Sequence, residues 1–83
     1  MVKDEEELLE RIKQDPDVMT GKPVIKGTRL TVQYIIGLLA EGASIEDILD
    51  EYDDLSEKDI KACLLFASKS LDHTHVKPLK AEA

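Results

Sequence analysis

The chain has 83 residues with 18 acids against 11 bases, a net charge of −7 and a single cysteine. That length makes one domain, of a size that buries only about 60% of its unfolded surface, and the lone Cys63 excludes an intrachain disulfide. Two tyrosines, one phenylalanine and no tryptophan exclude the stacking platforms of single-strand nucleic-acid binders, and the charged start Met1-Val2-Lys3-Asp4-Glu5-Glu6 is neither signal peptide nor membrane span, so the expectation is a soluble cytoplasmic protein.

Charge is unevenly spread: the balance is −4 over residues 1–20, +3 over 21–31, −8 over 32–59 and +2 over 60–83. Each productive phosphate contact needs a Lys or Arg that displaces counterions. General coating of nucleic acid is therefore excluded, and only the basic patches are left for it.

In chain order, residues 4–14 predict a first helix. Asp4 caps it, the glutamates sit at the positive end of its dipole, and Leu8, Leu9 and Ile12 form an apolar stripe. Asp15-Pro16-Asp17 ends it, because a residue before proline is pushed out of the α region. The next run, Gly21-Lys22-Pro23-Val24-Ile25-Lys26-Gly27-Thr28-Arg29-Leu30-Thr31-Val32, carries only positive charge. Val24-Ile25 and Leu30-Thr31-Val32 are β-prone around Lys26-Gly27, and Gly27 can take the positive φ of a tight reversal. A short hairpin or kinked strand follows. Lys22, Lys26 and Arg29 then project from a small rigid element, suited to an anion or an acidic partner, or else stand as solvated bases on a plain turn.

Thr31 is the N-cap of a helix over 32–41, with Val32, Ile35, Ile36 and Leu39 on one face and Gly42 as its left-handed stop. Gly37 inside it costs about 1 kcal/mol against alanine, which points to the close approach of another backbone. Ser44 opens a second helix, with Ile45, Ile48, Leu49 and Tyr52 inward and Glu46, Asp47, Asp50 and Glu51 outward. After Asp53-Asp54-Leu55, Ser56 opens a longer helix with Ile60, Leu64, Ala67 and Leu71 at helical spacing. Both serines precede an aspartate by three residues, a shortened capping box. The expected architecture is mainly α: a trihelical unit with helix-turn-helix spacing, preceded by the hairpin or strand and the N-terminal helix. Such spacing also occurs in bundles that bind no DNA. One domain over 1–75 and a disordered tail over 76–83 complete the expected organisation.

No residue set looks catalytic: there is no His-Glu-x-x-His pair, no glycine-rich phosphate loop and no nucleophile elbow. The carboxylates of the second helix read as a solubility face or a docking face for a basic partner. His73, Thr74 and His75 with Cys63 lack a fourth zinc ligand and a matching spacing. Neither metal nor cofactor is expected, and Cys63 reads as a small hydrophobe.

The run from Gly21 to Val32, followed by Leu38-Leu39-Ala40-Glu41-Gly42-Ala43-Ser44, Ile48-Leu49, Tyr52, Leu55-Ser56 and Asp59-Ile60, resembles the small prokaryotic family known as domain of unknown function 433, over about residues 12–70. The resemblance implies a homeodomain-like helix-turn-helix fold and an antitoxin-like protein encoded beside a PIN-like nuclease. Gly21, Pro23, Ile25, Gly27, Thr28 and Arg29 fall on its signature, and Ser44 and Ser56 on its helix starts. Two departures stand out: Thr20-Gly21 where the family commonly has two glycines, and Asp53 where it often has proline.

The expectation is thus a non-enzymatic antitoxin-like module that binds a cognate nuclease toxin and its own operator DNA, as a homodimer given the small core. Glu46, Asp47, Asp50, Glu51, Asp53 and Asp54 are the candidates for the toxin's basic groove. Lys22, Lys26, Arg29, Lys58 and Lys61 are the candidates for DNA. The alternative is a standalone helix-turn-helix regulator without a toxin, which an acidic helix before the recognition helix disfavours.

Overall fold

The chain reverses at Lys26-Gly27 through glycine geometry and a hydroxyl bridge. Gly27 sits at φ +81°, the Ile25 N–H donates to the Leu30 carbonyl at 3.0 Å, and Val24 bridges to Thr31. The Thr28 hydroxyl donates to the Ile25 carbonyl at 2.8 Å and accepts from the Leu30 N–H at 3.0 Å. In this computed structural model, which describes residues 2–17 and 19–71, the turn belongs to a small antiparallel sheet. Strand β1 (Ile12–Lys13) pairs with β2 (Val24–Ile25), Ile12 opposite Ile25 and Lys13 opposite Val24. Across the turn, residues 30–32 pair back with β2 through the Val24–Thr31 bridge and the Val32 N–H bond to the Pro23 carbonyl at 2.9 Å, and the chain then enters helix at Val32.

The first helix, α1, spans Val2–Leu9, shorter than the expected 4–14. Asp4 lies inside it, not at its cap, and Asp15-Pro16-Asp17 does not end it. It closes with Glu10 and Arg11 N–H bonds to the Glu6 and Leu8 carbonyls, both 3.0 Å. The physical reason is tertiary: Ile12 is worth more paired with Ile25 against the core than on a fourth helical turn facing solvent. A short 3-10 turn, Met19–Gly21, leads back toward β2.

Helices α2 (Val32–Ala40), α3 (Ile45–Glu51) and α4 (Glu57–Ser70) form the trihelical unit. The Thr31 hydroxyl caps α2 by accepting from the Tyr34 N–H at 3.0 Å, and Gly42 beyond its end has φ +107°. At α3 the capping box is reciprocal: Ser44 Oγ accepts from the Asp47 N–H and Asp47 Oδ2 accepts from the Ser44 N–H, both 3.0 Å. At α4, Asp59 Oδ2 accepts from the Ser56 N–H at 3.0 Å and from the Ser56 hydroxyl at 3.3 Å.

All other helices and β1 pack on α4. The core joins Ile25, Val32, Ile35, Ile48, Leu55, Ile60 and Cys63, each fully buried aliphatic contributing about 1.5–3 kcal/mol. Two expectations fail here. Leu64 is 45% exposed and Leu71 65%, because the buried face of α4 runs through Ile60, Ala62 and Cys63 and turns Leu64 away. Gly37 is not a close-approach site: a Cβ there would meet nothing within 4 Å. No described helix is long and apolar enough to cross a membrane. The tail 76–83 and the histidines His73 and His75 lie outside the described residues.

Candidate functional site

The basic candidates do not converge on one surface. Lys22, Lys26 and Arg29 are exposed around the glycine turn, as the sequence pattern requires. Lys58 and Lys61, also exposed, line a groove with Asp4, Glu7, Leu8 and Arg11, so carboxylates of α1 share the space with them. Lys22 instead borders an apolar groove formed by Val32, Ile36, Gly37, Phe66 and Leu71. At 100° per residue, Phe66, Ala67, Ser70 and Leu71 occupy the face of α4 opposite Lys58 and Lys61. Lys22 and the pair Lys58 and Lys61 therefore lie on different sides of α4, while the Lys26 N–H donates to the carbonyl of Arg11 at 2.8 Å, a residue of the Lys58–Lys61 groove.

The acidic candidates are displayed together. Glu46, Asp47, Asp50 and Glu51 on α3, and Asp53 and Asp54 after it, are all exposed. The ion pairs among the described residues are Arg11–Asp59, Lys13–Asp15 and Lys69–Glu5, so none of these six carboxylates is neutralised by an ion pair among the described residues. They divide by helical position: Glu46 and Asp50 share one face, Asp47 and Glu51 the next. Asp47 has a structural duty as well. The backbone bond from Ser44, then that residue's side chain, hold its carboxyl below the usual value of 3.8, so it is charged at neutral pH and its capping role is lost only as pH falls below that value.

Asp47 and Glu51 line an open cleft of 260 Å³ between α2 and α3, whose walls are Leu38, Ala43 and Ile48 and whose rings are Tyr34 and Tyr52. The rings meet edge to face, centroids 6.3 Å apart at 84°, and their hydroxyls share a 2.7 Å hydrogen bond. Tyr52 marks an inward position of α3 in the sequence, but nothing local announces its pairing with a residue eighteen positions earlier.

Arg11 and Asp59 form a second feature that sequence reading misses. Arg11 Nη1 donates to Asp59 Oδ1 at 3.1 Å, with the Asp59 side chain 11% exposed. Because Oδ2 already holds the start of α4, this carboxylate ties the segment after α1 to the central helix with both oxygens in use. The clue was the aspartate of the Ser56 box; its partner, 48 residues away, left no trace. Among the described residues no cluster of His, Cys, Asp and Glu is arranged to hold a metal.

The Gly-Lys-Pro turn, the Gly-Thr-Arg reversal and the two serine-capped helices lie within residues 12–67, which match the family model described as Protein of unknown function (DUF433). The chain belongs to the DUF433 family. An uncharacterised protein of Sinorhizobium fredii, y4eO, is 31% identical over 58 residues, 70% of this chain and 26% of that protein; the chain thus spans about a quarter of its curated relative's length. The crystal structure of a DUF433 member from Anabaena variabilis superposes with a TM-score of 0.73 at 22% identity, covering 87% of this chain and 71% of that one, a likeness of fold. The DUF433 model begins at β1 and ends within α4, so the Arg11–Asp59 link fastens α1, outside the match, onto the family unit.

Proposed function

We propose that this DUF433 protein is an antitoxin-like binding module that holds a cognate PIN-like nuclease through its acidic face and carries no catalytic site of its own. The observation behind the reading is the set of six exposed carboxylates on and after α3, in no ion pair among the described residues. A nuclease groove that receives RNA is basic, and clustered carboxylates on a rigid helix present it with the charge it is built to bind. The antitoxin-like character and PIN-like neighbour that the DUF433 resemblance implies supply the nuclease class. Operator DNA takes the second place in this proposal, because Lys22 lies across α4 from Lys58 and Lys61, and a homodimer would be needed to double the basic side chains on one particle.

The test is inhibition of the nuclease encoded beside this gene. Wild-type protein should abolish RNA cleavage at one equivalent, and Glu46→Lys/Asp50→Lys should not. That pair is preferred to any variant of Asp47, whose loss would also remove the cap of α3. Equal inhibition by both proteins would remove the acidic face from the interface. No inhibition by wild type would end the toxin reading.

A further inference from the structure

The cleft between α2 and α3 combines three properties that seldom coincide on a structural surface. Its rings, Tyr34 and Tyr52, are fixed against each other by the 2.7 Å bond between their hydroxyls. Two carboxylates, Asp47 and Glu51, line it, and among the described residues no Lys or Arg does. At 260 Å³ it falls below the roughly 300–1,000 Å³ of small-molecule sites, a size that suits one side chain better than a whole ligand.

We propose that this cleft receives one arginine side chain of a protein partner. The inference rests on the acidic face being a docking surface, and it names the group that anchors the dock. A guanidinium is flat and weakly hydrated, so it can lie on a tyrosine ring and be drawn by the ring's negative face. Its fork of N–H donors matches a carboxylate in the same plane. Glu51 is free to accept that fork, making no hydrogen bond or ion pair among the described residues; Asp47 uses Oδ2 on the Ser44 N–H and adds negative charge on the other side. The hydrogen bond shared with Tyr34, followed by desolvation, raises the Tyr52 hydroxyl above its ordinary 10.0, so this hydroxyl stays protonated at neutral pH and adds no charge beside the two carboxylates. Leu38, Ala43 and Ile48 give the aliphatic stem of the arginine an apolar floor.

The probe is N-acetyl-arginine methylamide, titrated into isotope-labelled full-length protein and followed by backbone amide shifts, with the citrulline and lysine counterparts as isosteric and isocoulombic controls. Arginine should give saturable shifts centred on Tyr34, Leu38, Ala43 and Tyr52, and the neutral citrulline should bind about five-fold or more weakly. Glu51→Gln should weaken arginine binding by a similar factor and Tyr34→Leu should abolish it, while Glu10→Gln on the remote α1 side leaves it unchanged. Equal binding of citrulline, preference for lysine, an equal loss in Glu10→Gln, or the absence of saturable shifts would each overturn the assignment. Nuclease inhibition separates this inference from the reading it rests on: inhibition that survives Tyr34→Leu removes the arginine anchor and leaves the acidic face standing. Arginine binding by a protein that inhibits no nuclease keeps the anchor and removes the toxin.

Discussion

Cys63 is fully buried on α4, and burial, with the nearby Asp59 carboxylate adding to it, pushes its thiol up to about 12 from an ordinary 9.0. A thiol in that state is no nucleophile, so native protein should resist a disulfide reagent at pH 8 and label only as fast as it opens globally. Rapid labelling without denaturant would show that α4 is loosely seated. The sign of the linkage follows: the folded chain keeps a proton that the unfolded chain loses above pH 9, so stability should fall as pH rises from about 9 toward 12. Cys63→Ser, which buries a hydroxyl without a partner, should cost about 1–3 kcal/mol, and Cys63→Ala less. At the basic turn, Thr20 and Gly21 both take positive φ, 54° and 83°. The position where the family commonly has a glycine is therefore one where a β-branched residue bears left-handed strain of about 1–2 kcal/mol. Thr20→Gly should raise the melting temperature, and Gly27→Val at φ +81° should lower it by about 1–3 kcal/mol in stability. A fall with Thr20→Gly would mean that its side chain contributes more than the strain removes.

Among the elements, the helices with caps and the reversal at Gly27 were legible. Thr31, Ser44 and Ser56 announce α2, α3 and α4 to within a residue, because a capping side chain acts on its own next turn and leaves its signature locally. The end of α1 was not legible: Ile12 fits a helical stripe and a strand equally, and only the opposing Ile25 decides between them. The face of α4 failed for a similar reason, since Leu64 has the spacing of a core residue but the core lies a quarter-turn away. Gly37 was misread because low helix propensity carries no information on whether the space beside it is filled. The acidic face was visible as composition; the tyrosine pair that shapes its cleft, and the Arg11–Asp59 link, join residues 18 and 48 positions apart and have no local code. That link has an energetic consequence for α1. Arg11→Ala leaves a nearly buried carboxylate without its cation and should cost about 1–2 kcal/mol, loosening α1 from α4. Amide exchange in α1 should rise in that variant while α2 and α3 stay protected; uniform exchange across all helices would mean that α1 is no separate unit.

On the scale of the whole molecule, a net charge of −7 is carried by a chain whose most acidic stretch, residues 32–59, has a balance of −8. Its field is therefore directional, and association with a basic partner should be steered by it and screened by salt, with a Debye length near 8 Å at physiological ionic strength. The most direct test of the acidic face is the association rate with the neighbouring nuclease over a salt series, for wild type and for Glu46→Lys/Asp50→Lys. The expected result is a wild-type rate that falls steeply with salt, and a variant rate lower by roughly ten-fold or more at low salt with a flattened dependence. Rates that coincide across the whole series would contradict a docking surface on α3.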